Sequence, residues 1–148
     1  MEMRLPPDFK EFLKLLNDQK VRYLLIGGYA VGYYGYPRAT NDMDVWVPVD
    51  PGNADRLVTA LREFGFVLPE LTPDLFLQVN KIIRMGIPPM RLEISTGISG
   101  VEFEECFAQR VVGELDGIQV NIIDLPHLKV NKKAAGRLKD LADLENLP

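Results

Sequence analysis

The sequence predicts an α+β fold, a mixed β-sheet with helices packed against it, built as a single domain over residues 1–148. Three observations predict it. Short apolar or alternating runs read as strands, runs with helical spacing sit before, among and after them, and no repeat, linker or low-complexity tract divides the chain. The 148 residues are 47% hydrophobic and 26% charged, the balance of a chain that buries one core.

The elements follow in order. Residues 7–18 (PDFKEFLKLLND) place Phe9, Phe12, Leu13 and Leu16 at helical spacing, and Pro7 suits a first helical turn. VRYLLIGG (21–28) is an apolar run ending in two glycines, a buried strand leading into a turn. The small and aromatic residues 29–35 fit a short helix starting just after Gly28. PRATND is a loop, and DMDVWV (42–47) alternates as a half-buried strand does. Asp50-Pro51 has the form of an N-cap followed by Pro at the first helical position. Ala54, Leu57, Val58, Leu61 and Phe64 then share a helical face that Gly65 can end.

KIIRMG (81–86) and MRLEIST (90–96), separated by IPP, form a candidate hairpin, and RVVGELDGIQVNIID (110–124) a second one turning at Asp116-Gly117. The closing segment, LPHLKVNKKAAGRLKDLADLENLP, reads as a helix or helix pair with Leu138, Leu141, Ala142 and Leu144 available for packing. Residues 65–90 carry no pattern that places them beyond the strand at their end.

The net charge of −4 does not announce a protein that grips long nucleic acid through its phosphates. It is unevenly spread: Lys129, Lys132, Lys133, Arg137 and Lys139 outnumber Asp140, Asp143 and Glu145 near the end. The single cysteine, Cys106, has no internal disulfide partner and is expected to pack as a small apolar residue. No run approaches the roughly 18 apolar residues of a membrane span, and the first residues lack an apolar leader, so a cytoplasmic, non-membrane protein is expected.

The chemistry concentrates in three acids. Asp42 and Asp44 lie two apart on a strand, so both side chains leave one face while Met43, Val45 and Val47 take the other. RLEIST repeats the pattern, with Arg91, Glu93 and Ser95 opposite Leu92 and Ile94. If the strands are neighbours, Glu93 joins the aspartates. Three such carboxylates repel one another unless a cation sits among them. Magnesium accepts hard oxygen ligands, and two ions about 3.5–4 Å apart stabilise an in-line phosphoryl displacement. Gly27-Gly28, between a strand and a short helix, allows backbone N–H groups to approach a triphosphate closely.

Taken singly these signals are weak, because D-x-D at a strand start also fits a solvated edge or an Asx turn. Other phosphate motifs fail: Tyr33 stands where a P-loop needs lysine, and G-x-G-x-x-G cannot be written through GGYAVGYYG. The combination that remains resembles the minimal DNA-polymerase-β-like nucleotidyltransferases. Their signature is a strand ending in Gly-Gly or Gly-Ser, a short helix, a strand with D-x-[DE], and a third acid on a later strand. LLIGGYAVGYYGYPRATNDMDVWV is similar to the branch that includes uncharacterised prokaryotic transferases and the toxins of abortive-infection and toxin–antitoxin pairs. Tyr34-Gly35, Arg38, Thr40, Asp42 and Asp44 match that branch, and KKAAGRLKDLADLENL resembles its closing helix. The match covers 21–47 well, and 91–96 and 129–147 fairly.

The resemblance implies a polymerase-β-like fold and transfer of a nucleoside monophosphate from an NTP to an acceptor, with release of pyrophosphate. It implies two Mg2+ ions (or Mn2+) on Asp42, Asp44 and Glu93, with Glu93 a candidate base, and nucleotide contacts from Gly27, Gly28, Arg38, Thr40, Lys132 and Arg137. The acceptor is a small molecule, a protein or an RNA end, and a homodimer or partner chain could complete the site. Two positions depart from the pattern: Gly28 replaces a common serine, and Glu93 a commoner aspartate. The alternative is an inactive nucleotide-binding or regulatory module on the same scaffold. Arg38 reads both as a phosphate clamp and as a carboxylate's partner, while Lys132 and Arg137 read both as triphosphate ligands and as solvated helix positions. Trp46 shares the acidic face and either walls the site or covers the sheet. The tyrosines at 29, 33, 34 and 36 are expected in the core rather than against a base, and His127 at a helix start.

Overall fold

The computed structural model describes residues 4–36 and 40–148. Its elements in chain order are α1 (Pro7–Asp18), β1 (Leu24–Ile26), α2 (Gly27–Tyr33), β2 (Asp42–Trp46), α3 (Pro51–Phe64), β3 (Ile82–Met85) and β4 (Arg91–Ser95). There follow α4 (Phe103–Ala108), β5 (Val111–Leu115), β6 (Ile118–Ile122), α5 (Leu125–Ala135) and α6 (Leu138–Asn146), with a 3-10 turn at Pro73–Phe76 between α3 and β3. The strands form one sheet ordered β3-β4-β2-β1-β6-β5. It is mixed: β2 runs parallel to β4 and β1 parallel to β6, while the other neighbours are antiparallel. This is the expected α+β class.

Most elements form for the expected reasons. Phe9, Phe12, Leu13 and Leu16 are the buried stripe of α1, each contributing on the order of 1.5–3 kcal/mol by leaving water. Asp50 caps α3 by accepting from the Asn53 N–H at 2.8 Å, and Gly65 ends that helix at φ +125°. Asn53 is fully buried and ties α3 to the approach of β1: its side chain accepts from the Arg22 N–H (2.7 Å) and donates to the Arg22 carbonyl (3.0 Å). The β5–β6 hairpin turns at Asp116 and Gly117, both left-handed, as a two-residue primed turn demands. Cys106 is buried, which pushes its thiol up to about 12 and makes it the inert apolar residue expected.

Two expectations need correction. The short helix starts at Gly27 itself, so β1 passes into α2 with no intervening turn. The closing helix pair is present, but α6 faces the other way from its leucines. Leu138 is 87% exposed, Leu141 and Ala142 are also exposed, and Leu144 is half-buried. Asp140 and Asp143 are the residues turned inward, each 1% exposed. Their partner is Lys132 of α5, 5% exposed, with its ammonium 3.0 Å from Asp143 and 3.4 Å from Asp140. A buried charge on α5 thus fixes which face of α6 goes in, because an uncompensated buried lysine costs more than two exposed leucines. The stretch 66–80, unplaced by pattern, is pinned by single anchors. Phe76 is fully buried, Arg62 donates to the Leu71 carbonyl (3.0 Å), and Thr96 donates to the Gln78 carbonyl (2.6 Å). No helix among the described residues is long and apolar enough to cross a membrane.

Candidate functional site

The sheet register arranges the candidate residues in rows. Side chains of register partners leave the same face. One row reads Arg84–Glu93–Asp44–Ile26 across β3, β4, β2 and β1, and beside it Arg91 faces Asp42. The next row, Ile82–Ser95–Trp46–Leu24, is capped at its centre by α4, whose Phe103 meets Trp46 edge-on with centroids 5.2 Å apart. Trp46 therefore covers the sheet and does not wall the site. The opposite face carries Ile94, Val45 and Leu25 with Leu92 and Met43, all buried. Alternation brings Asp42, Asp44 and Glu93 together as expected, in a trough of about 580 Å³. A pocket of that size suits a nucleotide-sized ligand. Gly27, Gly28 and Thr40 border it, as do Asn131, Lys132, Arg137 and Lys139 from the α5–α6 pair.

The glycines are there for steric reasons. Gly27 has φ +69°, and a β-carbon on it would lie 2.2 Å from the Asp44 carboxylate oxygen. Only glycine combines that backbone with that contact. A β-carbon on Gly28 would meet the Thr40 side chain at 3.2 Å, so Thr40 stands against the position where a serine is common in the resembled family. Thr40 also starts β2, accepting from the Asp42 N–H at 3.3 Å and donating to the Asp42 carbonyl at 3.2 Å. With seven residues, α2 offers a weak dipole, so close backbone approach is the main thing Gly27-Gly28 can give a phosphate.

The carboxylates are unequal. Burial, then the hydrogen bond and charge of Glu93 and the charge of Asp42, push Asp44 up to about 8, against a smaller opposing effect of Lys139. Burial would also raise Glu93, but its hydrogen bonds to Asp44 and Arg84 and the two nearby guanidinium charges leave it below the ordinary glutamate value. The two carboxyls titrate as a pair, in which burial and the Glu93 charge make Asp44 the harder of the two to ionise. Asp42 is held by Arg91 through two parallel bonds of 2.9 Å, and Arg84 donates to Glu93 at 2.8 Å. With Asp42 and Glu93 drawn to arginines, no three His, Cys, Asp or Glu side chains among the described residues stand ready-made around a metal ion. The donor set nevertheless fits a hard divalent ion: three carboxylates on adjacent strands, one with its pKa raised by burial and by its neighbours, against a glycine that leaves no room for a side chain.

A pH dependence follows. Between the ordinary aspartate value and about 8 the unfolded chain has lost a proton that folded Asp44 keeps, so folding stability falls as pH rises through that window. Glu93, depressed, acts in the opposite sense and at lower pH. Thermal melts in chelator are expected to drop from pH 5 to pH 8 and to flatten in Asp44→Asn; an equally steep slope in that variant would show that Asp44 is not the titrating group.

The remaining candidates divide. Arg137 lines the trough but is held by Asp140, donating from Nε at 2.7 Å and from its second amino group at 3.3 Å. Lys132 borders the trough, yet its ammonium is committed to the two buried aspartates, so it positions the helix pair instead of reaching out as a free phosphate ligand. Arg38 lies outside the described residues. The tyrosines pack as expected: Tyr29 edge-on against Phe9, and Tyr34 donating to the Ile123 carbonyl at 2.7 Å. His127 sits at the start of α5, 2.6 Å from Asp124. Sequence reasoning did not single out Arg84 or Arg91 as site residues, and gave Lys139 only as a recurring polar position of the closing helix. Alternation already put Arg91 on the face of Glu93, and the 81–96 hairpin, paired through Met85 and Leu92, would have set Arg84 opposite Glu93. No family model matches this sequence, and comparison with curated proteins finds no match.

Proposed function

We propose that this protein is a metal-dependent nucleotidyltransferase on a polymerase-β-like scaffold, transferring a nucleoside monophosphate from an NTP to an acceptor hydroxyl or phosphate. The observation that carries the reading is the closure of Gly27 on Asp44. A strand enters a helix at Gly-Gly, with no space for a side chain on Gly27, directly beside three carboxylates on one sheet face. Asp42, Asp44 and Glu93 would hold the divalent ions, Mg2+ or Mn2+, which supply charge neutralisation at the attacking and leaving oxygens. The acceptor oxygen forms a bond to the α-phosphorus, a hydroxyl acceptor giving up its proton to water; the bond from phosphorus to the bridging oxygen breaks, and pyrophosphate leaves with that electron pair. Gly27 and Gly28 present backbone to the phosphate chain, while Arg137 and Lys139 lend positive charge from the α6 side. Glu93, held ionised, is a better ligand than base, so its first duty here is to the cation.

The second reading, a nucleotide-binding or regulatory module without turnover, draws on the arginines that hold Asp42 and Glu93. Titration calorimetry with each NTP, in magnesium and in chelator, tests both, joined to a pyrophosphate-release assay with small hydroxyl compounds and RNA ends as acceptors. Magnesium-dependent binding that falls at least about 100-fold in the Asp42→Asn/Asp44→Asn variant is expected, since each lost charge-assisted contact is worth on the order of 1.5–3 kcal/mol. Folded protein that binds no NTP, or a variant that binds as well as the parent, would remove the proposal. Binding without pyrophosphate release would favour the regulatory module.

A further inference from the structure

The trough holds more cationic side chains than its acids need. Arg84 and Arg91 arise from two neighbouring strands and point to the same face as the carboxylates. Arg91 grips both oxygens of Asp42 at 2.9 Å and stands 3.6 Å from Glu93, so one guanidinium spans two acids. Arg84 donates to Glu93 at 2.8 Å while its own side chain is 56% exposed. Water competes for the exposed Arg84 guanidinium, which weakens its hold on the less exposed Glu93. A guanidinium fork binds phosphate oxygens with the same two-bond geometry as a carboxylate.

The geometry points to Arg84 and Arg91 as exchangeable counter-ions that hold Glu93 and Asp42 when no divalent cation is bound, and turn to the phosphate chain when a metal-bound polyphosphate enters. The inference rests on the nucleotidyltransferase reading and adds two residues to it. Its logic is charge conservation within a small space. A divalent ion on the carboxylates repels the guanidinium groups that share them. A polyphosphate brings several negative oxygens into the same trough, within the sweep of two long side chains anchored at its floor. The arginines thereby compete with a bare ion and cooperate with an ion that arrives on phosphate, which favours the charged substrate over the free metal.

That opposition of signs is measurable. Mn2+ alone, Mn2+ with inorganic triphosphate, and Mg2+ with each NTP are titrated into the parent, Arg84→Ala, Arg91→Ala and the milder Arg91→Gln, with folding checked by thermal melts. Each substitution is expected to tighten bare Mn2+ binding about fivefold or more and to weaken Mn2+–triphosphate about tenfold. Tighter binding of both probes would make the arginines simple blockers of the site, and no change in either would make them static; both results overturn the exchange. Should the Ala variants fail to fold, Arg91→Gln carries the same opposite-sign expectation. Arginine-dependent binding of triphosphate with no binding of any NTP would keep the exchange and remove the nucleotide reading. Tight NTP binding unaffected by the arginine variants would do the reverse.

Discussion

Lys132→Met is expected to cost about 3–5 kcal/mol of folding stability, the range for removing one partner of a buried charge cluster. The Lys132 side chain is 6% exposed and its ammonium contacts two aspartates whose side chains are each 1% exposed, so solvent replaces it poorly. Methionine keeps most of the volume, which separates lost charge from lost packing. Burial alone would raise the Asp140 carboxyl, but Arg137 and Lys132 hold it below the ordinary carboxylate range. That depression contributes stability above the unfolded value and loses it as the pH falls through the folded one. The deficit of Lys132→Met in urea unfolding should therefore be largest near neutrality and shrink in acid. Adding Asp143→Leu should recover part of the loss, since it removes one of the two buried carboxylates that Lys132 compensates. A deficit below about 1 kcal/mol at pH 7 would mean that the cluster is hydrated and does not orient α6.

The same cluster explains the main failure of the sequence reading. Leu138, Leu141 and Ala142 are spaced as a helix face, and a hydrophobic-period rule turns such a face inward. Here Lys132, on another helix, decides the orientation, and no local pattern in 138–146 reveals that Asp140 and Asp143 share one buried cation. Where the deciding contacts are local or periodic, the chain is readable. The α1 stripe, the Asp50 cap, the Asp116-Gly117 turn and the alternation of 42–47 all stand as read. The acids of the candidate site are legible for the same reason, because two residues on one strand face follow from the pleat alone. Of their counter-ions, Arg91 shares the Glu93 face by the same alternation, whereas Arg84 meets Glu93 only through the β3–β4 register, which depends on the 86–90 connection. The stretch before it resists reading because Phe76, Arg62 and Thr96 fix it by contacts far apart in sequence.

Gly27→Ala is expected to abolish divalent-dependent nucleotide binding, a fall of at least about 100-fold, while leaving a folded protein. Two costs meet at one residue. The left-handed backbone at φ +69° penalises any β-carbon by roughly 1–2 kcal/mol. The new methyl would also lie 2.2 Å from the Asp44 oxygen and 2.8 Å from its carboxyl carbon, a contact that cannot persist. Either the start of α2 retreats or the Asp44 side chain swings away, and each movement separates the backbone from the carboxylate that the proposed site requires together. Because Asp44 borders a trough and not the apolar core, displacing it disturbs binding far more than folding. Gly28→Ala serves as the graded comparison. Its β-carbon would approach only the movable Thr40 side chain, at 3.2 Å, and its backbone carries no left-handed strain, so a milder loss, within about tenfold, is expected there. Calorimetry on the two variants, with melting curves to separate affinity from folding, checks the ordering. Equal and small losses would show that the closure of Gly27 on Asp44 is a packing detail without consequence for the site, and the nucleotidyltransferase reading would lose the observation on which it stands.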